Sequence, residues 1–266
     1  MSESERTTRL FDRPHATLAY RTAGRGPLAV YAHGAFSSQG HERRADLFDW
    51  SALTRTHRLV EYDARGHGES TGRPVEADYA YPALATDLLA LCDHLSPDRP
   101  VAALGSSMGA ATVLWAALAR PERFSRLVLA TPAVAWQARA ARRDGLRAAA
   151  TLIERRGKAA LSAAARLAGP PAVLAEVPSF PTEFDVPDTL MPAILRAAAG
   201  ADLPEPAALR GLVHPTLLLA WETDPVHPVA TAEALAELLP AAELHVARDL
   251  AEVRAWGERA ADFLAR

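Results

Sequence analysis

One serine has the spacing of a reactive nucleophile. Gly105, Ser107 and Gly109 form the pattern Gly-x-Ser-x-Gly, after a short apolar run at 101–104 and before a strong helix former at 110–119. This order predicts a strand, a sharp turn with the serine at its apex and a helix whose positive N-terminal end faces the hydroxyl. The glycines supply the small residues needed where the strand end and the helix start nearly collide. The pattern therefore indicates nucleophilic catalysis.

Other polar residues directly follow predicted strands. The pair His33-Gly34 follows the apolar run 28–32, and Asp224 follows the apolar run 216–221. Because the carboxyl ends of parallel strands meet at one edge of a sheet, we expect these residues and the serine to converge there.

The elements that must position these groups alternate between strands and helices. Short, near-continuous apolar strands with amphipathic helices between them are typical of a parallel sheet covered on both faces. We therefore predict an α/β protein with a mostly parallel, doubly wound sheet of about eight strands. Residues 1–13 are interpreted as a solvated tail and 17–21 as an edge strand. Further strands are predicted at 28–32, 58–62, 126–130, 216–221 and 243–247, and helices at 79–95, 110–119, 230–239 and 250–264.

One long segment, 136–206, interrupts this alternation. Its first part, 136–166, is rich in Ala and Arg, with eight Lys or Arg against two Asp or Glu; the second, 167–206, contains eight prolines. Such an insertion between two strands predicts a helical cap, or lid, over the binding crevice. The predicted domains are a core of 14–135 and 207–266 and the cap. We interpret the cap's charges as a solvated helix face rather than a basic rim for anionic substrates.

The overall composition favours an ordinary globular protein. Of 266 residues 49% are hydrophobic and 23% charged, and the formal net charge of −3 gives no electrostatic reason to expect nucleic acid or membrane partners. The single cysteine, Cys92, fits a reducing compartment, and the polar N-terminus has no leader-like apolar run. We expect a cytoplasmic protein that binds a small molecule, without a nucleotide cofactor or a metal, because the corresponding motifs are missing. The oligomeric state stays open.

Taken together, the motifs resemble those of the α/β-hydrolase superfamily. The resemblance rests on 105–109, His33-Gly34, 63–68 and 224–228 in this order, and it covers the chain from about Thr17 onward. It implies the α/β-hydrolase fold, a nucleophile elbow after the fifth core strand, an acid after the seventh and a histidine after the eighth. The insertion would correspond to the cap of that family.

The resemblance implies a role for each matching residue. Ser107 takes the position of the nucleophile. The backbone N–H groups of Met108 and of Ala35, or alternatively Phe36, take those of the oxyanion hole, which stabilises a developing negative charge. Asp224 takes the position of the acid; its other interpretation is a turn aspartate before a proline.

The chain departs from the family at the general base. The family carries Gly-His after the last strand, whereas here Asp249 occupies the matching position and no histidine follows His245. A serine needs an adjacent base to become a good nucleophile.

Three explanations for this departure stay open. His227, three residues beyond Asp224, could be a displaced base, or His245 could reach the site through a shift in strand register. Otherwise there is no triad, and the pocket binds a ligand or supports chemistry without an activated serine. His33 and His41 could also face the pocket, although the sequence gives neither a partner.

The sequence thus predicts a small-molecule hydrolase that acts on an ester, thioester or lactone through Ser107. The alternative is a degenerate member of the same fold that is non-hydrolytic, like the lyases and cyclases that share it, or that only binds a ligand.

Overall fold

A computed structural model describes residues 7–45, 47–168, 177, 184–224 and 226–266. The strands are β1 (Arg9–Arg13), β2 (Ala16–Ala23), β3 (Leu28–Ala32), β4 (Arg58–Tyr62), β5 (Val101–Ser107), β6 (Phe124–Pro132), β7 (Thr216–Trp221) and β8 (Ala242–Ala247). They form one sheet in the spatial order β1-β2-β4-β3-β5-β6-β7-β8. The pairs β1/β2 and β2/β4 are antiparallel and the other neighbours are parallel, which confirms the predicted sheet.

Helices alternate with the parallel strands. Within the described residues they are α1 (Gln39–Ala45), α2 (Tyr81–Leu95), α3 (Met108–Ala119), α4 (Trp136–Ala140), α5 (Arg143–Arg156), α6 (Lys158–Ala168), α7 (Met191–Gly200), α8 (Pro206–Leu209), α9 (Val229–Leu238), α10 (Leu250–Arg254) and α11 (Trp256–Ala265). Three short 3-10 helices cover Ser51–Arg55, Glu76–Tyr79 and Pro121–Arg123.

The sheet has a hydrophobic core on each face, as a doubly wound fold requires. Successive residues of a strand point to opposite faces. Accordingly, Val30 packs in the cluster with α2, α3 and α9, whereas its neighbour Tyr31 packs in the cluster with α10 and α11. Every residue of β3 and β7 is buried, which explains why these strands read as continuous apolar runs.

The first strand was not expected. Residues 9–13, interpreted above as part of a solvated tail, form β1 and pair antiparallel with β2. That interpretation is wrong for these residues, and β2 is consequently an inner strand rather than the edge. The side chains of β1 are mostly exposed, and Leu10 is 66% exposed, so the sequence shows no apolar pattern for this strand. The backbone hydrogen bonds to β2 chiefly hold it in place.

The helices α4 to α8 lie between β6 and β7 and carry a small core of their own. In this core α5 packs against α7, through residues such as Ile153 and Ile194. An ion pair between Arg196 and Glu154 joins the same two helices on the outside. Residues 136–166 are thus helical, as predicted. Part of the proline-rich stretch, 169–176 and 178–183, lies outside the described residues, and the domain boundaries stay a prediction.

Candidate active site

Ser107 sits at a sharply bent point between β5 and α3. Its backbone has φ 50° and ψ −110°, a conformation that L residues rarely adopt. A Cβ atom on Gly105 would lie 2.3 Å from the Gly109 carbonyl carbon, and one on Gly109 would lie 1.9 Å from the Ala32 oxygen. Both glycines are therefore required by close backbone approach, as the predicted turn demands.

The Ser107 hydroxyl ends a chain of hydrogen bonds that begins at Asp224. Its Oγ lies 2.9 Å from His227 Nε2, and His227 Nδ1 lies 2.7 Å from Asp224 Oδ2. An ionised carboxylate accepts only, so Nδ1–H donates to Asp224 and Nε2 accepts from the serine hydroxyl. The structure thus brings together Ser107, Asp224 and His227, the first of the residues considered as a displaced base.

A tight turn lets His227 fold back on its own acid. Asp224 Oδ1 accepts the backbone N–H groups of Val226 at 2.7 Å and of His227 at 3.1 Å, which leaves Oδ2 for the imidazole. Burial raises the pKa of the Asp224 carboxyl, but the hydrogen bonds from the imidazole and the two N–H groups outweigh it, so the net pKa lies below the ordinary value. The carboxylate is therefore ionised at neutral pH.

His245, the second histidine considered as the base, lies elsewhere, and Asp249 caps a helix. His245 lies on β8, does not line the cavity at Ser107, and has Arg259 and Glu252 as its charged neighbours. Asp249, at the position of the family histidine, is the N-cap of α10, and its carboxylate accepts the Glu252 N–H at 2.9 Å. That position therefore begins a helix.

The loop after β3 is fixed by two polar side chains. His33 Nδ1–H donates to the Gly34 carbonyl at 2.7 Å, and its Nε2 accepts the Ala64 N–H at 2.9 Å. Burial lowers the pKa of His33 to about 4, which keeps the ring neutral, as this pair of bonds requires. Glu42 Oε1 accepts the Gly34 N–H at 3.1 Å. His33, for which the sequence offered no partner, thus holds the loop.

The predicted oxyanion-hole residues border the same space. Ala35 and Met108 both line the cavity beside Ser107. Met108 is the first residue of α3, so its N–H has no partner within the helix. Phe36, the alternative to Ala35, has φ 63°, and its carbonyl accepts the Asp185 N–H at 2.9 Å.

Sequence reasoning missed a polar network next to the nucleophile. Tyr31 donates its hydroxyl to Glu42, and the same hydroxyl lies 2.9 Å from Ser106 Oγ. The pKa of Glu42 is raised to about 7, mainly because the carboxyl is buried. The hydrogen bonds from Tyr31 and Gly34 offset only part of this effect. A tyrosine in the middle of an otherwise apolar strand was the available signal, because its buried hydroxyl needs a partner.

A cavity of about 420 Å³ opens beside Ser107. Its wall combines residues of the sheet core with residues of the insertion. The sheet core contributes Phe48, Met108, Val134 and Trp221. The insertion contributes Arg139, Arg142, Leu146, Phe184 and Ala198. Two arginines of the insertion thus line the cavity, and for the buried Arg139 the interpretation of the charges as a solvated helix face is wrong.

Metal-ligand clusters and membrane-spanning helices are both missing from the part of the chain that the structure describes. No group of three or more His, Cys, Asp or Glu side chains in this part of the chain could hold a metal ion. No helix within the same ranges is both long and apolar enough to cross a membrane.

The geometry and the fold agree with a comparison against known families. Residues 50–251 match the family described as alpha/beta hydrolase fold, and the chain belongs to it. A hydrolase from Pseudomonas aeruginosa PA01, of known structure, is 29% identical with a TM-score of 0.81, over 98% of this chain and 99% of that one. The enol-lactonase from Burkholderia xenovorans LB400 is 22% identical with a TM-score of 0.77, over 97% and 100%; this likeness concerns the fold alone.

A curated relative matches part of the chain. The 3-oxoadipate enol-lactonase 2 of Acinetobacter baylyi is 42% identical over 88 residues, which are 31% of this chain and 32% of that protein. The chain therefore spans about a third of the length of this relative. The relatives named here are a hydrolase and two enol-lactonases.

Proposed function

We propose that this protein is a serine hydrolase that cleaves an ester, thioester or lactone of a small molecule. The observation that carries the proposal is the hydrogen-bonded chain from Asp224 through His227 to Ser107, with distances of 2.7 and 2.9 Å. A general base must lie within about 3 Å of the atom that carries the proton it removes, and His227 Nε2 meets that condition for Ser107 Oγ.

In the first half of the reaction Ser107 Oγ attacks the substrate carbonyl. Its proton moves to His227 Nε2, and Asp224 stabilises the resulting imidazolium. The oxygen of the tetrahedral intermediate accepts hydrogen bonds from the backbone N–H groups of Ala35 and Met108. The intermediate collapses when the bond to the leaving oxygen or sulfur breaks, and His227 returns the proton to that atom.

In the second half water replaces the leaving group. His227 removes a proton from the water, whose oxygen attacks the acyl carbon, and the bond to Ser107 Oγ breaks as the serine recovers its proton. Each turnover consumes one water and leaves the side chains as they began. The cavity volume suits a small-molecule substrate.

Steady-state hydrolysis of an activated ester such as p-nitrophenyl butyrate tests the proposal. We expect Ser107→Ala to abolish turnover, whereas Ser106→Ala reduces it, because only the former removes the hydroxyl bound to His227. Equal turnover by the wild type and Ser107→Ala would rule out nucleophilic catalysis by this serine.

A further inference from the structure

Arg139 is a buried cation in the wall of the cavity. Its side chain, on α4, is only 9% exposed. Nε donates to the Ala201 carbonyl at 3.1 Å, and Nη2 donates to the Ala198 carbonyl and, at 3.1 Å, to the Tyr81 hydroxyl. These contacts hold the guanidinium rigidly against the C-terminal end of α7.

None of these contacts neutralises the charge of Arg139. Within the described residues no carboxylate lies within 4 Å of its guanidinium nitrogens, and Nη1 donates to no acceptor. Asp202 instead uses Oδ1 to accept the N–H groups of Trp136 and Leu203. By contrast, Arg196 in the same insertion has Glu154 as its partner. A guanidinium stays protonated, and burying it without an anion is costly, so an anion bound in the cavity would offset part of that cost.

The other charged groups of the cavity leave that place open. Arg142 lines the same wall. The acids that line the cavity are engaged, Asp224 with the His227 ring and Glu42 with the Tyr31 hydroxyl and the Gly34 N–H. An anionic ligand would therefore be attracted to the arginine side of the cavity.

We propose that Arg139 binds a carboxylate of the substrate, so that the preferred substrates are esters or lactones with a free carboxylate away from the scissile bond. This inference rests on the proposed hydrolase function and names its substrate class. The planar guanidinium of an arginine fits a planar carboxylate better than the point-like ammonium of a lysine does. Charge-assisted hydrogen bonds of this kind distinguish strongly between charged and neutral ligands.

Matched ester pairs test the proposal. Monophenyl esters of the dicarboxylic acids with four to seven carbons are compared with phenyl esters of monocarboxylic acids of equal chain length, with Ser107→Ala as the background. We expect the wild type to have a kcat/KM about tenfold or more higher for the carboxylate ester at the length that spans the site. Arg139→Gln should lower this preference about tenfold, mainly through KM.

A matched arginine serves as the control. Arg143 also donates to a carbonyl near the end of α7, that of Ala199 at 3.2 Å, but does not line the cavity. Arg143→Gln should therefore keep the preference for carboxylate esters. Should Arg139→Gln fail to fold, Arg139→Lys is the second variant: it keeps the charge but loses the planar guanidinium, with an expected loss of preference of several fold.

Three outcomes would overturn the inference. They are a wild type that prefers the neutral ester at every length, an Arg139→Gln that slows both esters equally, and an Arg143→Gln with the same loss of preference. If neither ester is cleaved, the proposed function fails instead. Arg139 is then tested by calorimetry with adipate: the inference requires binding to the wild type that Arg139→Gln loses, and equal or absent binding overturns it.

Discussion

At the scale of single residues, His227 uses both nitrogens of its ring, one in a hydrogen bond with Asp224 and one in a hydrogen bond with Ser107. The sequence allowed this arrangement but could not select it. The ring reaches Asp224 only because two backbone N–H groups of the turn bind the other carboxylate oxygen, and a turn of this kind is a three-dimensional feature. The position of Arg139 could not be predicted either, because the carbonyls that accept its hydrogen bonds lie about sixty residues away in the sequence.

Removing the base should expose its contribution directly. We expect His227→Ala to lower kcat/KM for p-nitrophenyl butyrate by about a hundredfold or more, because the serine would lose its proton acceptor. His245→Ala is the matched control, since that histidine does not line the cavity. Equal losses in the two variants would remove His227 from the mechanism.

The buried Glu42 carboxyl should make stability depend on pH. The pKa of Glu42 is raised to about 7 in the folded chain, so between its unfolded value of 4.5 and 7 the folded state holds the proton more tightly than the unfolded state does. The contribution of Glu42 to the free energy of unfolding therefore falls as pH rises through this window, by about 3 kcal/mol, and stays constant above it.

Glu42→Gln should remove that dependence. In urea unfolding at pH 5, 6 and 7.5, the stability of the variant relative to the wild type should rise with pH. Glu237→Gln, at an exposed position of α9, should leave the difference flat. A flat difference for Glu42→Gln as well would contradict a buried, proton-retaining carboxyl.

At the scale of elements, the parallel strands and the turn at Ser107 were predictable because both faces of the sheet are covered. Such strands must be apolar throughout, and β3, β5 and β7 read that way. β1 could not be predicted in this way, because the backbone hydrogen bonds of an edge strand can hold it while its side chains stay polar.

The close approach at the nucleophile turn should make Gly109 irreplaceable. A Cβ there would lie 1.9 Å from the Ala32 oxygen, so Gly109→Ala forces β3 and α3 apart. We expect a loss of about 2 kcal/mol or more in urea unfolding, together with lower kcat/KM. Gly145→Ala, where a Cβ meets no atom within 4 Å, should instead stabilise α5 by up to about 1 kcal/mol. Tolerance of Gly109→Ala would refute the close packing.

The start of α10 should respond as a helix cap. Asp249→His removes the acceptor for the Glu252 N–H and should cost about 1 kcal/mol in stability. It should leave turnover of p-nitrophenyl butyrate within twofold, because His227 already occupies the place of the base. A marked rise in turnover would mean that the family histidine position is still needed.

At the scale of the whole molecule, the sheet core supplies Ser107, Asp224 and His227, and the insertion supplies part of the cavity wall. The order of motifs along the chain was enough to predict that strand ends converge. The side chains that the insertion adds to the wall were not predictable, since a run of arginines in a helical segment gives no sign of which one lines a cavity. Arg139 and Arg196 belong to the same insertion, yet one lines the cavity and the other pairs with an acid on the outside.

The most direct measurement of the central claim is covalent labelling with a fluorophosphonate, followed by mass mapping of the labelled peptide and by the labelling rate. The account predicts one label, on Ser107, none in Ser107→Ala, and a rate in His227→Ala about a hundredfold lower than in the wild type. A label on another residue, or an equal rate in the wild type and His227→Ala, would contradict the claim that His227 activates Ser107.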